Sequence, residues 1–292
     1  MTRLFGTDGV RGVANRDLTP DLALTLGRAA GVVFGGEGRV VIGRDTRLSG
    51  PMLEAALVAG LCSSGMDVAV AGIVPTPAVS FLTTDEAAVG GGMVSASHNP
   101  VDDNGIKFFS AEGTKVAVDV EDAIEAAMGV PSPGPTGTSV GGAELLADAT
   151  ERYVQHLLGT VSVPLKGLRV VLDCAYGAAW QSAPRAFREA GAEVIAMNAT
   201  ADGSKINVGC GSTSLQPLSR RVVEEGADLG VAFDGDADRM LAVDDRGDAI
   251  DGDQILALAA MSLADAGKLE RNLVVITVMA NLRLQLMLAE RG

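Results

Sequence analysis

Histidine is nearly missing from this chain of 292 residues, with two copies, and aromatics make up only 3%. Cysteine is scarce as well. Cys62, Cys174 and Cys210 form an odd, widely spaced set without a Cys-x-x-Cys pair. That argues against a disulfide framework and suits reduced thiols in a cytoplasmic protein. Positive charge is in deficit: a net charge of −14 argues against a surface built for nucleic acid. It leaves room for a phosphorylated small molecule, which needs only a local cluster of cations or a metal. Long apolar runs are lacking too. The uncharged stretch from Val68 to Thr84 is broken by Pro75 and Pro77 and is too short to span a bilayer. The start, MTRLFGTDGVRG, has no signal-peptide core, so a soluble protein without a membrane partner is expected. Gly-x-x-x-x-Gly-Lys-Ser/Thr is absent, which removes the common nucleotide P-loop.

What is present points to an α/β protein. Hydrophobic residues make up 47% and there are 37 glycines, which implies an aliphatic core with many tight turns. The length suits about two domains at ~150 residues each. RVVIGR (Arg39–Arg44) reads as a strand and Leu48–Gly65 as a helix with Ser49 as N-cap, while Asp67–Gly72 reads as the next strand. This is a βαβ unit. The pattern returns as LRVVLD (Leu168–Asp173), a helix over Trp180–Gly191 and EVIAMN (Glu193–Asn198). The shared Arg-Val-Val start and the GMDV/GAEV re-entry suggest two related units. Gly129–Gly142, uncharged and rich in Gly, Pro, Ser and Thr, is the linker candidate. A third unit opens with a helix from Asp253, a strand over Asn272–Val278 and a helix from Asn281 to Arg291. The expected domains are 1–142, 143–250 and a truncated third from 251 to 292. A lone βα step lacks partner strands, which is why truncation is expected there.

The strongest chemical signal is AFDGDADR (Ala232–Arg239), placed at the carboxyl end of a strand, where α/β proteins put their sites. In an extended loop Asp234, Asp236 and Asp238 would share one side and repel each other unless a cation sits among them. A hard divalent ion, Mg²⁺ first, is the natural partner, against the plainer reading of a solvated acidic turn. A helix–loop–helix calcium site would need glycine at its sixth position, where Arg239 stands. The second signal is SASHNPVDDNGIKFF (Ser95–Phe109). Ser97 beside His98 invites a hydrolase triad, but there is no Gly-x-Ser-x-Gly elbow. The only other histidine, His156, falls on an amphipathic helix. A phosphoserine at Ser97 fits better, its charge balanced by the metal and by cations drawn from Arg11, Lys107, Arg239, Arg44 and Arg47.

GTDGVRG, GRDTRLSG, SASHNPVDDNGIKFFS and DGDADR, in this order, resemble the α-D-phosphohexomutase superfamily over essentially the whole chain. The first and third motifs are most similar to its bacterial branch that interconverts glucosamine 6-phosphate and glucosamine 1-phosphate. The resemblance implies two consecutive mixed-sheet α/β domains plus the start of a third. It implies Ser97 as phosphoryl carrier and an Mg²⁺ site of Asp234, Asp236, Asp238 and a Ser97 phosphate oxygen. Arg11 and Lys107 match residues that move protons, His98 supports them, and Arg239 and Arg44 are expected on phosphate or substrate. The substrate would be a hexosamine phosphate, and a homodimer is allowed. Sugars of related phosphomannomutases or phosphoglucomutases, or a non-catalytic fragment binding Mg²⁺ and phosphate, are the alternatives. The family's later sugar-recognition and phosphate loops are not found in this sequence. Ser214 and Arg283 stand where histidine and glycine are common in the family.

Overall fold

The structure is a computed structural model that describes residues 3–130 and 133–290. Pro131 and Ser132, within the expected linker, and Arg291, at the expected end of the last helix, lie outside the described residues. Chain order opens with β1 (Val10–Val13), α1 (Pro20–Val33), β2 (Arg39–Arg44), α2 (Gly50–Ser63), β3 (Asp67–Ile73) and α3 (Thr76–Asp85). Next come β4 (Gly90–Val94), β5 (Asp103–Ser110), α4 (Val118–Met128), β6 (Ala143–Leu145) and α5 (Ala149–Thr160). A second set follows with β7 (Arg169–Asp173), α6 (Ser182–Glu189), β8 (Glu193–Met197), α7 (Gln216–Glu225), β9 (Leu229–Phe233), β10 (Met240–Asp244) and β11 (Ala249–Ile250). The described chain closes with α8 (Gly252–Asp265) and α9 (Leu282–Glu290).

The strands form two mixed sheets, ordered β1-β5-β4-β2-β3-β6 and β11-β10-β9-β7-β8. In each, three parallel strands (β4-β2-β3 and β9-β7-β8) are extended by an antiparallel partner, β5 on β4 and β10 on β9. Alternation along β2 explains the layers. Val40 and Ile42 join Leu26 of α1, Leu57 of α2 and Ile124 of α4, while Val41 faces Val79 and Leu82 of α3 and Tyr153 of α5. β7 repeats the device, with Val170 and Leu172 toward Ala183 and Phe187 of α6, and Val171 toward Leu218 and Val222 of α7. A fully buried leucine such as Leu57 contributes about 2 kcal/mol. β4, Gly-Gly-Gly-Met-Val, is glycine-rich because its neighbours come close: a Cβ on Gly91 would stand 2.3 Å from the Thr83 hydroxyl.

Three local expectations change. Ser49 does sit at the start of α2, but its hydroxyl accepts from Asn104 Nδ2 at 2.9 Å instead of capping the helix. The described linker residues lie back on α2, with the Gly141 amide on the Cys62 carbonyl at 3.0 Å. β6, just past residue 142, pairs with β3, so the first sheet reaches Leu145. The strand expected over Asn272–Val278 does not form. Val275 and Val278 are almost fully exposed there, because β-propensity needs a neighbouring strand to become a strand. Among the described residues no helix is long and apolar enough to cross a membrane.

Candidate active site

Ser97 lies in the connection between β4 and β5, at the carboxyl end of the parallel strands, and is 1% exposed. Its φ of 51° is left-handed, a conformation that costs a non-glycine residue about 1–2 kcal/mol. A buried polar network offsets that cost. The Ser97 amide donates to Ser95 Oγ at 2.9 Å, and Ser95 Oγ donates to Asp45 Oδ2 at 2.7 Å. Arg47, completely buried, donates from Nε to Asp45 at 3.0 Å and from Nη2 to the carbonyls of Ser97 and Asn99 at 2.9 Å each. Its Nη1 takes the carbonyls of Pro100 and Asp103. Burial pushes the Asp45 carboxyl up, and Arg47 opposes this. Arg47 was a candidate phosphate cation; its guanidinium is instead committed to the backbone of the Ser97 loop.

The three aspartates occupy the matching connection between β9 and β10. The loop is a tight turn rather than the extended run expected, left-handed at Ala237 (φ 53°) and closed by the Arg239 amide on Asp234 Oδ1 at 3.2 Å. The turn still gathers the carboxylates: one oxygen from each of Asp234, Asp236 and Asp238 lies within 4.8 Å of the others. Gly235 rests against the Ser97 carbonyl, where a Cβ would come within 2.5 Å. That close approach brings the two loops together, and Ser97 Oγ donates to Asp234 Oδ2 at 2.5 Å.

Electrostatics set the three carboxylates apart. Burial, and then the charge of Asp236, push Asp234 up to about 7. Burial works against Asp236 as well, but Lys107 and the Thr76 hydroxyl outweigh it and hold that carboxyl below its usual range. Asp236 Oδ2 accepts from Thr76 Oγ1 at 2.6 Å and from Lys107 Nζ at 2.9 Å, while Oδ1 is buried without a partner. Asp238, at the rim, takes Lys107 Nζ at 3.1 Å. An all-oxygen donor set, an orphaned buried oxygen and a neighbour forced toward protonation fit a hard divalent cation.

The other expected residues divide. Lys107 is at the site; burial lowers its pKa, but Asp236 and Asp238 outweigh this and leave the ammonium above its ordinary value. The exposed His98 ring has Nδ1 3.4 Å from Ser97 Oγ and accepts from Arg239 Nη1 at 3.2 Å, which requires the neutral Nε2–H tautomer. Burial, then Arg239 and Arg11, lower its pKa. Arg11 donates to Asn99 Oδ1 at 3.2 Å, next to the serine loop. Arg44 does not join: its Nε goes to Glu54 at 3.0 Å and Nη1 to the Asp45 carbonyl. His98 and Arg239 open onto a cleft of about 690 Å³ lined also by Thr213, Leu241, Ile255 and Leu256. Residue-type reasoning passed over Asp45, Ser95, Thr76 and Asn207, whose Nδ2 donates to the Ser97 carbonyl at 2.8 Å. A signal for Thr76 was available in Pro75-Thr76-Pro77, a helix start directly after a strand.

Two linked α/β/α units thus bring a buried serine of one onto an aspartate triad of the other. Residues 2–130 match the phosphoglucomutase/phosphomannomutase alpha/beta/alpha domain I, and residues 151–247 match domain II. The phosphoglucosamine mutase of Paenarthrobacter aurescens is 54% identical over 299 residues, covering 100% of this chain and 66% of that protein. That of Pelotomaculum thermopropionicum is 54% identical over 300 residues, covering 100% and 67%. A Burkholderia thailandensis phosphoglucomutase/phosphomannomutase family protein superposes with a TM-score of 0.81 at 30% identity, over 91% of this chain and 60% of that one. The chain belongs to the phosphoglucomutase/phosphomannomutase family, in its phosphoglucosamine mutase branch. It spans about two thirds of the length of these curated relatives.

Proposed function

We propose that this chain is the phosphoryl-carrying and cation-binding part of a phosphoglucosamine mutase, which interconverts glucosamine 6-phosphate and glucosamine 1-phosphate. The observation that carries the reading is the Ser97 hydroxyl of one unit lying on Asp234 of the other, inside a triad fitted to a cation. The sugar is named from the branch to which the chain belongs. Phospho-Ser97 gives its phosphoryl group to a sugar hydroxyl. The Oγ–P bond breaks, a sugar O–P bond forms, and in net terms one proton passes from the sugar hydroxyl to Ser97 Oγ. The product is a 1,6-bisphosphate, which turns around and returns its other phosphate to Ser97.

Phosphoryl transfer is mainly positioning and charge neutralisation, and the residues divide along those lines. Asp234, Asp236 and Asp238, with a phosphoserine oxygen, would hold Mg²⁺, which supplies positive charge against the phosphoryl oxygens. Lys107, held as a cation by its aspartates, serves as a charge beside the phosphate rather than as a base. Arg239, on His98, and Arg11, on Asn99, add positive charge next to the Ser97 loop, and the neutral His98 ring offers a hydrogen-bonding edge. The proposed division of the chain follows the expected 1–142, 143–250 and 251–292, with the first boundary moved past β6 because that strand belongs to the first sheet. A cytoplasmic location goes with the reading, supported by the free thiols of Cys62, Cys174 and Cys210.

The test is phosphorylation followed by turnover. Incubation with a hexose 1,6-bisphosphate should add one phosphoryl group at Ser97 by intact mass and peptide mapping, and Ser97→Ala should add none. Glucosamine, glucose and mannose 6-phosphates are then compared on the protein extended to its relatives' length. Phosphate uptake elsewhere than Ser97 overturns the carrier role, and preference for glucose or mannose phosphate overturns the sugar.

A further inference from the structure

α3 begins without a cap of its own. The residue at its N-cap position is Pro75, no side chain caps the helix, and Pro77 has no amide hydrogen. The first amide of the helix is satisfied from the other unit: the Thr76 N–H donates to the Asp236 backbone carbonyl at 2.9 Å. The same residue makes a second contact 160 positions away in sequence, its Oγ1 donating to Asp236 Oδ2 at 2.6 Å. Thr76 thus grips Asp236 at both backbone and carboxylate, and all the groups involved are buried.

The two ends of the Asp236 carboxylate are treated differently. Oδ2 receives two donors, Thr76 Oγ1 and Lys107 Nζ, while Oδ1 is buried with none. A carboxylate whose one oxygen is saturated by fixed donors cannot swing freely about its terminal torsion. We infer that Thr76 is a positioning residue for the cation site, holding Asp236 so that Oδ1 is the oxygen presented to the ion. The inference rests on the cation reading of the aspartate triad. Hydrogen-bonding partners that orient a ligating side chain typically govern metal affinity by ~10–100-fold.

Mn²⁺ titrated into the metal-free chain and followed by electron paramagnetic resonance gives a readout independent of turnover. Thr76→Val keeps the side-chain shape and the backbone amide but removes the hydroxyl. It should weaken Mn²⁺ binding at least about tenfold. Thr76→Ser, which restores the donor, should return affinity to within about threefold of the unaltered chain. Thermal unfolding of each variant without metal separates positioning from general damage. If Thr76→Val fails to fold, Thr76→Ala against Thr76→Ser gives the same contrast. Mn²⁺ bound equally well without the hydroxyl overturns this inference alone. An unaltered chain that binds no Mn²⁺ overturns the cation reading and the inference together.

Discussion

The β4–β5 and β9–β10 connections occupy the same place in two sheets of like order, β5-β4-β2-β3 and β10-β9-β7-β8, yet they do opposite work. The likeness reaches single residues. Asp45 after β2 and Asp173 at the end of β7 are both fully buried, and each accepts the amide two residues on, Arg47 at 2.9 Å and Ala175 at 3.0 Å. From there the units diverge. Asp45 shares its other contacts with Ser95 and the Arg47 side chain, so the network is spent on fixing the serine loop. Asp173 turns instead to Asn198 and to the Gly211 amide, and leaves the aspartate loop alone. The serine loop is held chiefly from within its own unit, by Arg47, Asp45 and Ser95, with Asn207 reaching the Ser97 carbonyl from the other. The aspartate loop keeps crowded carboxylates and borrows Thr76 and Lys107 from its neighbour. On the proposed reading, a carrier group needs a fixed address, whereas an ion site needs carboxylate charge in excess of what Lys107 balances.

Ser97→Ala should sever the two roles most sharply. Turnover of the relatives'-length protein falls by at least about a thousandfold in a coupled assay, while Mn²⁺ binding persists. Next in size is Arg47→Met, which strands Asp45 in the core. Chemical denaturation should show a loss of about 3–5 kcal/mol. Asp173→Asn, its counterpart in the second unit, should cost about 1–3 kcal/mol through one weakened hydrogen-bond set, and equal losses would erase the asymmetry. Asp236→Asn should lower Mn²⁺ affinity at least about a hundredfold, and Asp238→Asn at the rim should lower it less. The smallest effect is expected away from both loops. Glu86 is held below the usual carboxylate range by Arg152 and, against burial, by Arg39. A lowered folded-state pKa means the native chain binds fewer protons than the unfolded one. Its contribution, about 1 kcal/mol, is therefore full above the ordinary glutamate range and vanishes as pH falls through the depressed value. Glu86→Gln should flatten the acid limb of the stability curve without moving Mn²⁺ affinity.

The sequence disclosed the two loops because their residue types are costly to keep without a use: three alternating aspartates, and a serine beside a rare histidine. The doubled Arg-Val-Val strands announced two like units, and both sheets carry them as β2 and β7. What stayed hidden was set by partners distant in sequence. Arg47 reads as an available cation until the fold closes the Ser97 loop over it, and Arg44 until Glu54 arrives beside it. Thr76 is an unremarked threonine between prolines; only the approach of Asp236 gives its hydroxyl a task. Asn272–Val278 has the composition of a strand, but no strand stands next to it in the described chain.

The glycine at 235 draws one last consequence. With backbone touching backbone at that point, the seam between the halves has a clearance narrower than one methyl group. Contacts of 2.5 to 2.9 Å across it do not survive a displacement of about an ångström. A single carbon atom added at that glycine would therefore press on the Ser97 carbonyl and unseat the serine from its aspartate.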